Sequence, residues 1–540
     1  MTQHHTKKRA ADRALFARWD TLPGRAAQPL GLSVLKALQT KLQGHIVLPF
    51  DKDYDTARKI YYPEFNSYPL AVVYCLCETD VGLCLALVRD TGLNFTLRSG
   101  GHCTAGFSVA TGTILIDVSG LNDVTIDSVA LTATARPGCQ WGTFDKALDA
   151  AGLHVPGGEC GEVCVGGYMQ GGGYGYTSVT YGMNCDNVID MRVMLADGTV
   201  VVASATQNID LWWAMRGGTG GNFGVLLSVR YQLRPLGQVF GWALIWPLQT
   251  AQDFQNATGA MMALQQSYML APLDPNLNIQ VSLAYQPGIQ GGLPLDGPQQ
   301  PYLLVRGLYV GDQATGQAAI ATLVALPGCV VQWTQMDSFI NQNNDLLNVP
   351  YPMPSFPASD PTPFEDKASR YVTQALTAAQ WHAQLEFFTT SAPLMAYFYM
   401  EFYGGAINAQ GDQLNAFVHR SSAYNAVMDV FWFTDAQKIT AEKFLSDWMN
   451  LMAPVWNGEI YQNYPRLNTA NYGAAYWGSA QAGLYAVKLK YDPDNYFRFS
   501  QQVGPLMPSG GGPGPVIFPP AWLQAWLAQP ILRAQGQCTT

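Results

Sequence analysis

The chain has 540 residues, of which 48% are hydrophobic and only 13% charged, and it carries a net charge of −9. That balance excludes a disordered chain, which needs the opposite composition, and the length exceeds one ordinary core, so two large domains are expected. The acidic balance, with no basic run or aromatic-interleaved Lys/Arg patch to offset it, argues against nucleic acid or an anionic membrane as partner.

The opening MTQHHTKKRAADRALF is polar, and His4 and His5 have no ligand spacing. The first 50 residues hold no apolar block of the signal-peptide kind, and nowhere do about 18 apolar residues run together. The expectation is a cytoplasmic protein that makes no membrane contact. Residues 1–65 read as an N-terminal extension with helical periodicity in LSVLKALQTKLQ.

From residue 66 to 235 the pattern is LAVVYCL, ETDVGLCLALVRDTG and NFTLRSG, read as strand, helix and strand. The stretches GTILIDVSG, VALTATARPG and NVIDMRVMLADGTVVVAS then read as β-structure, with Asp197-Gly198 marking a hairpin turn. Residues 236–455 change texture: long helical segments (TAQDFQNATGAMMALQQSY, TDAQKITAEKFLSDWMNLM) alternate with strand-like runs (NIQVSLAY, YLLVRGLYV, LMAYFYMEFYGG, NAVMDVFWF). A sheet covered by helices on one face is expected there, and residues 456–505 should return to the first unit, leaving 506–540 as a Pro/Gly-rich tail. The fold class is α+β.

Ten cysteines in a chain of this length is not the density of a disulfide scaffold. Cys75 and Cys77 form a C-x-C pair near Cys84, but no second pair or histidine follows at zinc spacing, so no metal site is expected and these are read as small buried hydrophobes. Cys139, Cys185 and Cys329 are read the same way.

Two glycine-dense stretches carry the chemistry: RSGGHCTAGFS at 98–108 and GGECGEVCVGGYMQGGGYGY at 157–176. Glycine lets backbone turn tightly and present its N–H groups to a flat or anionic ligand. Each stretch also holds one nucleophilic side chain, His102 and Cys160, which suggests a cofactor bonded to the protein as well as held. Neither run opens a helix after a strand with an acid about twenty residues on, which sets both apart from a Rossmann fingerprint. A hydrolase Cys/His pair would need a third orienting group and an oxyanion hole.

Arg98-Ser99-Gly100-Gly101-His102 resembles the R-S-G-G-H signature of the FAD-linked oxidases of the vanillyl-alcohol oxidase superfamily. The second stretch resembles the C-P-x-V-G-V-G-G-H-x-x-G-G-G-x-G segment of its berberine-bridge-enzyme-like branch. The likeness continues through Asp117–Asn122, Tyr181–Val188, Asp210–Gly224, YQNYPRL and YDPDNYFRFSQQV, all in the family's order. It implies a two-lobed PCMH-type FAD-binding domain over 66–235 and a substrate domain whose antiparallel sheet is covered by helices.

The resemblance implies covalent FAD, bonded to His102 at the flavin 8α-methyl and to Cys160 at C6; Cys164 falls where the family has glycine. It implies further cofactor contacts from Arg98, Ser99, Gly100, Gly101, Cys103, Gly106, Val163, Gly166, Gly167, Gly171, Gly172, Gly173, Tyr174, Gly175, Asn187, Val188, Asn463 and Gln501. Val163 sits where a small residue leaves oxygen a path to reduced flavin. The family's G-G-H and C-P become Gly167-Tyr168 and Cys160-Gly161 here, departures beside the cysteinyl link.

For catalysis the family's usual base maps to Tyr464, with Tyr461 before it. A phenol with a pKa near 10 needs positive charge or hydrogen bonds to act as a base. A companion should come from Tyr397, Tyr399, Glu401 and Tyr403, which share one face of a strand, with Tyr403 and Asp429 as candidates. Arg420 in VHRSS reads as structural. Trp242, Trp246, Trp333, Trp381 and Trp432 could stack on sugar faces or pack a core. The implied function is an oxidase of a small-molecule alcohol or sugar using O2; the alternatives are an oxidative cyclase or amine oxidase, a dehydrogenase with another acceptor, and a flavin-carrying binding protein.

Overall fold

The computed structural model describes residues 31–271, 274–286, 300–348, 363–391, 395–411, 413–504 and 519–534. His4, His5 and most of the Pro/Gly-rich stretch after 504 lie outside the described residues. The strand, helix, strand pattern expected after Pro69 forms as Ala71–Tyr74, Glu78–Thr91 and Phe95–Arg98. Gly92 ends the helix in the left-handed region, where the absence of a Cβ removes the steric cost. These strands build a four-stranded sheet in the order His45–Val47, Ala71–Tyr74, Ile114–Asp117, Phe95–Arg98, parallel except for the first.

A five-stranded antiparallel sheet follows, ordered Val124–Asp127, Thr132–Ala135, Val225–Gln232, Val188–Met194, Val200–Ser204. Its last hairpin turns at Gly198, with φ +85°. The two sheets share apolar contacts: Met194, Val225 and Leu227 pack with Val73, Ile114 and Ile116.

Residues 239–432 supply a seven-stranded, wholly antiparallel sheet in the order Val330–Asp337, Val239–Pro247, Gln300–Tyr309, Leu277–Gln286, Met395–Phe402, Tyr424–Trp432, Phe364–Val372. Strand side chains alternate between faces. Phe398, Met400, Phe402, Val281, Leu283, Met428 and Val430 point into an apolar core under helices Ala251–Leu264, Ala378–Thr389 and Asp435–Met452. Thr250, Thr377 and Thr434 cap these helices, each accepting a backbone N–H of the first turn, a contact worth about 1 kcal/mol.

The opposite face of the same sheet is apolar in part but carries a polar patch. Register sets Arg306 opposite Gln280, Gln280 opposite Glu401 and Glu401 opposite Asn425. A second row sets Tyr397 opposite Asp429 and Asp429 opposite Lys367. Of the tryptophans offered as sugar-stacking surfaces, Trp242, Trp246, Trp381 and Trp432 lie in the helix-side core and are buried. Trp333 packs against apolar side chains of the other face.

The Trp246 indole is wholly buried and donates its N–H to Pro327 O at 3.1 Å. Trp246→Ala is expected to cost about 3–5 kcal/mol, measured as a lowered urea midpoint.

Candidate active site

A cavity of about 880 Å³ opens between the polar patch of the seven-stranded sheet, the two glycine-dense loops and the C-terminal segment. His102, Cys160, Val163, Gly166, Gly167, Tyr174, Tyr461, Asn463, Tyr464 and Gln501 all line it, as do Arg98, Ser99, Gly100, Gly101 and Cys103. One buried ion pair fixes the first loop: Arg98 binds Asp117 and donates to Lys59 O at 2.9 Å. Gly101 turns at φ +74°, in the region that favours glycine, and delivers His102 to the wall, where its ring stacks on Tyr61 at 4.5 Å.

The residues present fit a flavin dinucleotide. The backbone N–H groups of Ser99, Gly100, Gly101, His102 and Cys103 donate no hydrogen bond among the described residues. A row of free N–H groups on a cavity wall is a cradle for an anion such as pyrophosphate. The buried hydroxyls of Thr96 and Ser108, also on the wall, have no partner among the described residues. Burial, with the Lys367 ammonium adding to it, lowers the His102 pKa to about 4, so the imidazole is neutral and keeps a lone pair. Cys160 is an exposed residue at the rim. Lost solvation at the cavity wall and then the Glu159 charge raise its pKa to about 12, so it is a thiol rather than a thiolate.

Several residues expected to touch the cofactor lie off the cavity wall. Gly106 is packed under the Phe65 ring, and Gly171 under the Asn463 side chain. Gly172 is closed by Phe417, and Gly175 sits against the Gly157 carbonyl. Gly173 uses its N–H on Tyr461 Oη at 2.9 Å. Asn187 spends its amide on the carbonyls of Tyr181 and Met183, and Val188 is a buried strand residue beside it. These glycines let the walls approach one another; the wall itself is made by their neighbours.

The catalytic candidates separate in the same way. Tyr464 donates its hydroxyl to Glu401 Oε1 at 2.6 Å, and Asn425 donates to Glu401 Oε2 at 2.9 Å. Burial pushes the Glu401 carboxyl up to about 8 despite these two donors. Burial and the neighbouring Glu401 also hold the Tyr464 phenol well above its ordinary value, so no free-standing phenolate forms. Tyr461 accepts from Gly173 N and from Asn463 Nδ2 at 3.0 Å, which makes its oxygen a structural tie.

Tyr403 lies off the wall: its strand ends at Phe402, and its hydroxyl pairs with that of Tyr371 at 2.7 Å. Asp429 is also off the wall, 3.3 Å from Lys367 Nζ. Residues missed from sequence are Lys367, its second partner Glu365 at 3.2 Å, and the Arg306–Gln280–Glu159 chain. Glu401 was visible only as one of four residues on an alternating strand. Arg420 is structural, paired with Asp186 at 2.6 Å.

Residues 69–204 match the family described as FAD binding domain, and residues 460–504 match that described as berberine and berberine like. An uncharacterized FAD-linked oxidoreductase of Bacillus subtilis, YvdP, is 27% identical over 475 residues, covering 86% of this chain and 99% of its own. A chitooligosaccharide oxidase of Gibberella zeae is 29% identical over 473 residues, covering 81% and 87%. The structure of wild-type Physcomitrella patens BBE-like 1 superposes with TM-score 0.76 at 26% identity, covering 88% of this chain and 99% of that one. No helix among the described residues is long and apolar enough to cross a membrane.

The raised Glu401 pKa has a consequence for stability. Between its ordinary 4.5 and about 8, the folded carboxyl holds a proton that the unfolded one releases. The stability this confers is complete below that window and is lost as pH rises through it. Glu401→Gln should remove that decline, checked as the wild-type minus variant difference in unfolding midpoint across the window.

Proposed function

The chain belongs to the berberine-bridge-enzyme-like family of FAD-linked oxidoreductases, and from that premise we propose that it is an oxidase of a small-molecule alcohol. In this reading the substrate is a sugar, an oligosaccharide or a glycosylated natural product, and the flavin is bonded at His102 and Cys160. When bound, FAD supplies the redox chemistry, taking hydride from the C–H of the carbinol carbon and passing two electrons to O2 to release H2O2. Residues 66–235 hold the cofactor, 236–455 supply the substrate side, and the enzyme works in the cytoplasm.

The observation that carries the reading is the Tyr464–Glu401 hydrogen bond in the same cavity as His102 and Cys160. An alcohol losing hydride must also lose its hydroxyl proton. Tyr464 Oη can accept that proton as it passes its own to Glu401 Oε1, so the phenol relays and the carboxylate stores. Asn425 and the sheet register keep Glu401 in place, and Tyr464 is held from behind by the turn in which its N–H donates to Tyr461 O at 2.9 Å. Neutral His102 suits bond formation through a ring nitrogen. The free N–H groups from Ser99 to Cys103 suit the pyrophosphate, and Val163 on the wall suits an oxygen path.

A second reading, oxidation or cyclisation of an amine, is favoured by Glu401 itself, a carboxylate that can take a proton without the phenol. Tyr464→Phe separates the two. Under the alcohol reading this variant keeps its flavin and loses about 10²–10⁴-fold in the rate of flavin reduction; reduction by an amine at the wild-type rate favours the second reading. Because Glu401 must be ionised, the wild-type reduction rate should rise with pH through about 8. His102→Ala with Cys160→Ala should release FAD on denaturation, whereas the wild type should carry it covalently through a denaturing gel.

A further inference from the structure

We propose that the substrate carries a positively charged nitrogen, seated in the part of the cavity in front of Tyr464 and Glu401. This deepens the oxidase reading and rests on it: the compound oxidised is an amine-bearing alcohol, not a neutral one. Four carboxyl groups, Glu159, Glu162, Glu365 and Glu401, line the cavity, against one ammonium, Lys367; two guanidiniums also line it, Arg98, paired with Asp117, and Arg498, which donates to Asn94. Lys367 is spent: Glu365 lies at 3.2 Å and the buried Asp429 at 3.3 Å. The guanidinium of Arg306, behind the wall, is the other nearby cation. It faces Gln280, which passes on a hydrogen bond to Glu159 at 2.8 Å. Glu401 holds its proton below about 8, so four carboxyls, Glu159, Glu162, Glu365 and Asp429, stand against Lys367 and Arg306 on this side of the cavity.

Aromatic rings make an independent second observation. Tyr61, Tyr62, Tyr397, Tyr399 and Phe431 line the same chamber. Their faces carry negative electrostatic potential and attract a cation that has shed its water. An anionic ligand would meet both the carboxylates and the ring faces unfavourably, and a neutral sugar would leave the excess charge uncompensated. Glu162 is exposed, with no partner among the described residues, so it can meet an incoming cation at the rim. A protonated amine satisfies both features at once.

The test uses the FAD-loaded protein and an isosteric pair that offers no alcohol to oxidise: acetylcholine and 3,3-dimethylbutyl acetate, which differ by a quaternary nitrogen in place of a carbon. Binding is read from the visible flavin spectrum and by calorimetry. Acetylcholine should bind about tenfold or more tightly than its neutral twin, and added salt should narrow the gap. Glu162→Gln, at an exposed position that leaves the fold intact, should weaken acetylcholine alone, and Glu365→Gln should do the same. Equal binding of the pair, or no detectable binding of acetylcholine, overturns the proposal. The oxidase reading fails by a different result, in which no alcohol or amine bleaches the flavin, so the two failures are distinguishable.

Discussion

Along the central strands of the seven-stranded sheet, alternate side chains are committed to the core beneath the helices, and that commitment decides what can face the cavity. Phe398, Met400 and Phe402 bury with Trp448 and Leu445, which forces Tyr397, Tyr399 and Glu401 to the other side. A one-residue slip would exchange the two sets. The apolar face thus specifies the polar patch: burial worth about 1.5–3 kcal/mol for each large side chain holds a carboxylate and a row of phenols in a place where burial alone would disfavour them. Neighbouring strands extend the same logic. Gln280, Asn425 and Ser369 alternate with Val281, Ala426 and Ala368, so the polar atoms that the sheet places around Glu401 come from positions next to apolar ones.

The C-terminal segment closes this arrangement. Tyr461 N–H donates to Ser369 Oγ at 3.0 Å, Ser369 donates to Asn425 at 2.7 Å, Asn425 donates to Glu401, and Tyr464 returns to Glu401. In the other direction Asn463 donates to Tyr168 O at 2.9 Å, and Thr104 donates to Pro465 O at 2.6 Å, close to His102. Seven residues, Tyr461 through Leu467, therefore touch the sheet, the second glycine loop and the first. Buried polar networks of this kind are costly when half-satisfied and rigid when complete. A change at any member should be felt at Tyr464.

Much of this was legible in the sequence, for definite reasons. The two glycine-dense loops were visible because tight backbone approach excludes other residues, and His102 and Cys160 stand out beside them. Helices Ala251–Leu264 and Asp435–Met452 were legible as long helical segments, each opened by a threonine, whereas Ala378–Thr389, capped in the same way by Thr377 with Gln380 at the third position, was not. Strand Phe364–Val372 did not. Its FEDKASRYV carries three charged residues after Phe364, and alternation is hidden because Lys367 lines a cavity and Ser369 is buried in a hydrogen-bond chain rather than facing solvent. With that strand went Lys367 and Glu365. The glycines at 171–173 and 175 were read as cofactor contacts because sequence shows that a Cβ is excluded, not what excludes it; here protein atoms fill the space.

Lys367 shows how far pairing across the sheet can override burial. Removing an ammonium from water favours its neutral form, and burial is the largest influence on this one. Asp429 and then Glu365 outweigh it, and the pKa ends well above its ordinary value. The charge is therefore permanent at any physiological pH, and it lies 5.1 Å from the centre of the Tyr464 ring. Its field acts on both sides of the proposed proton relay, opposing protonation of His102 and favouring ionisation of Glu401. Asp429 performs this service from behind the wall, so a residue off the lining can still set a charge on it.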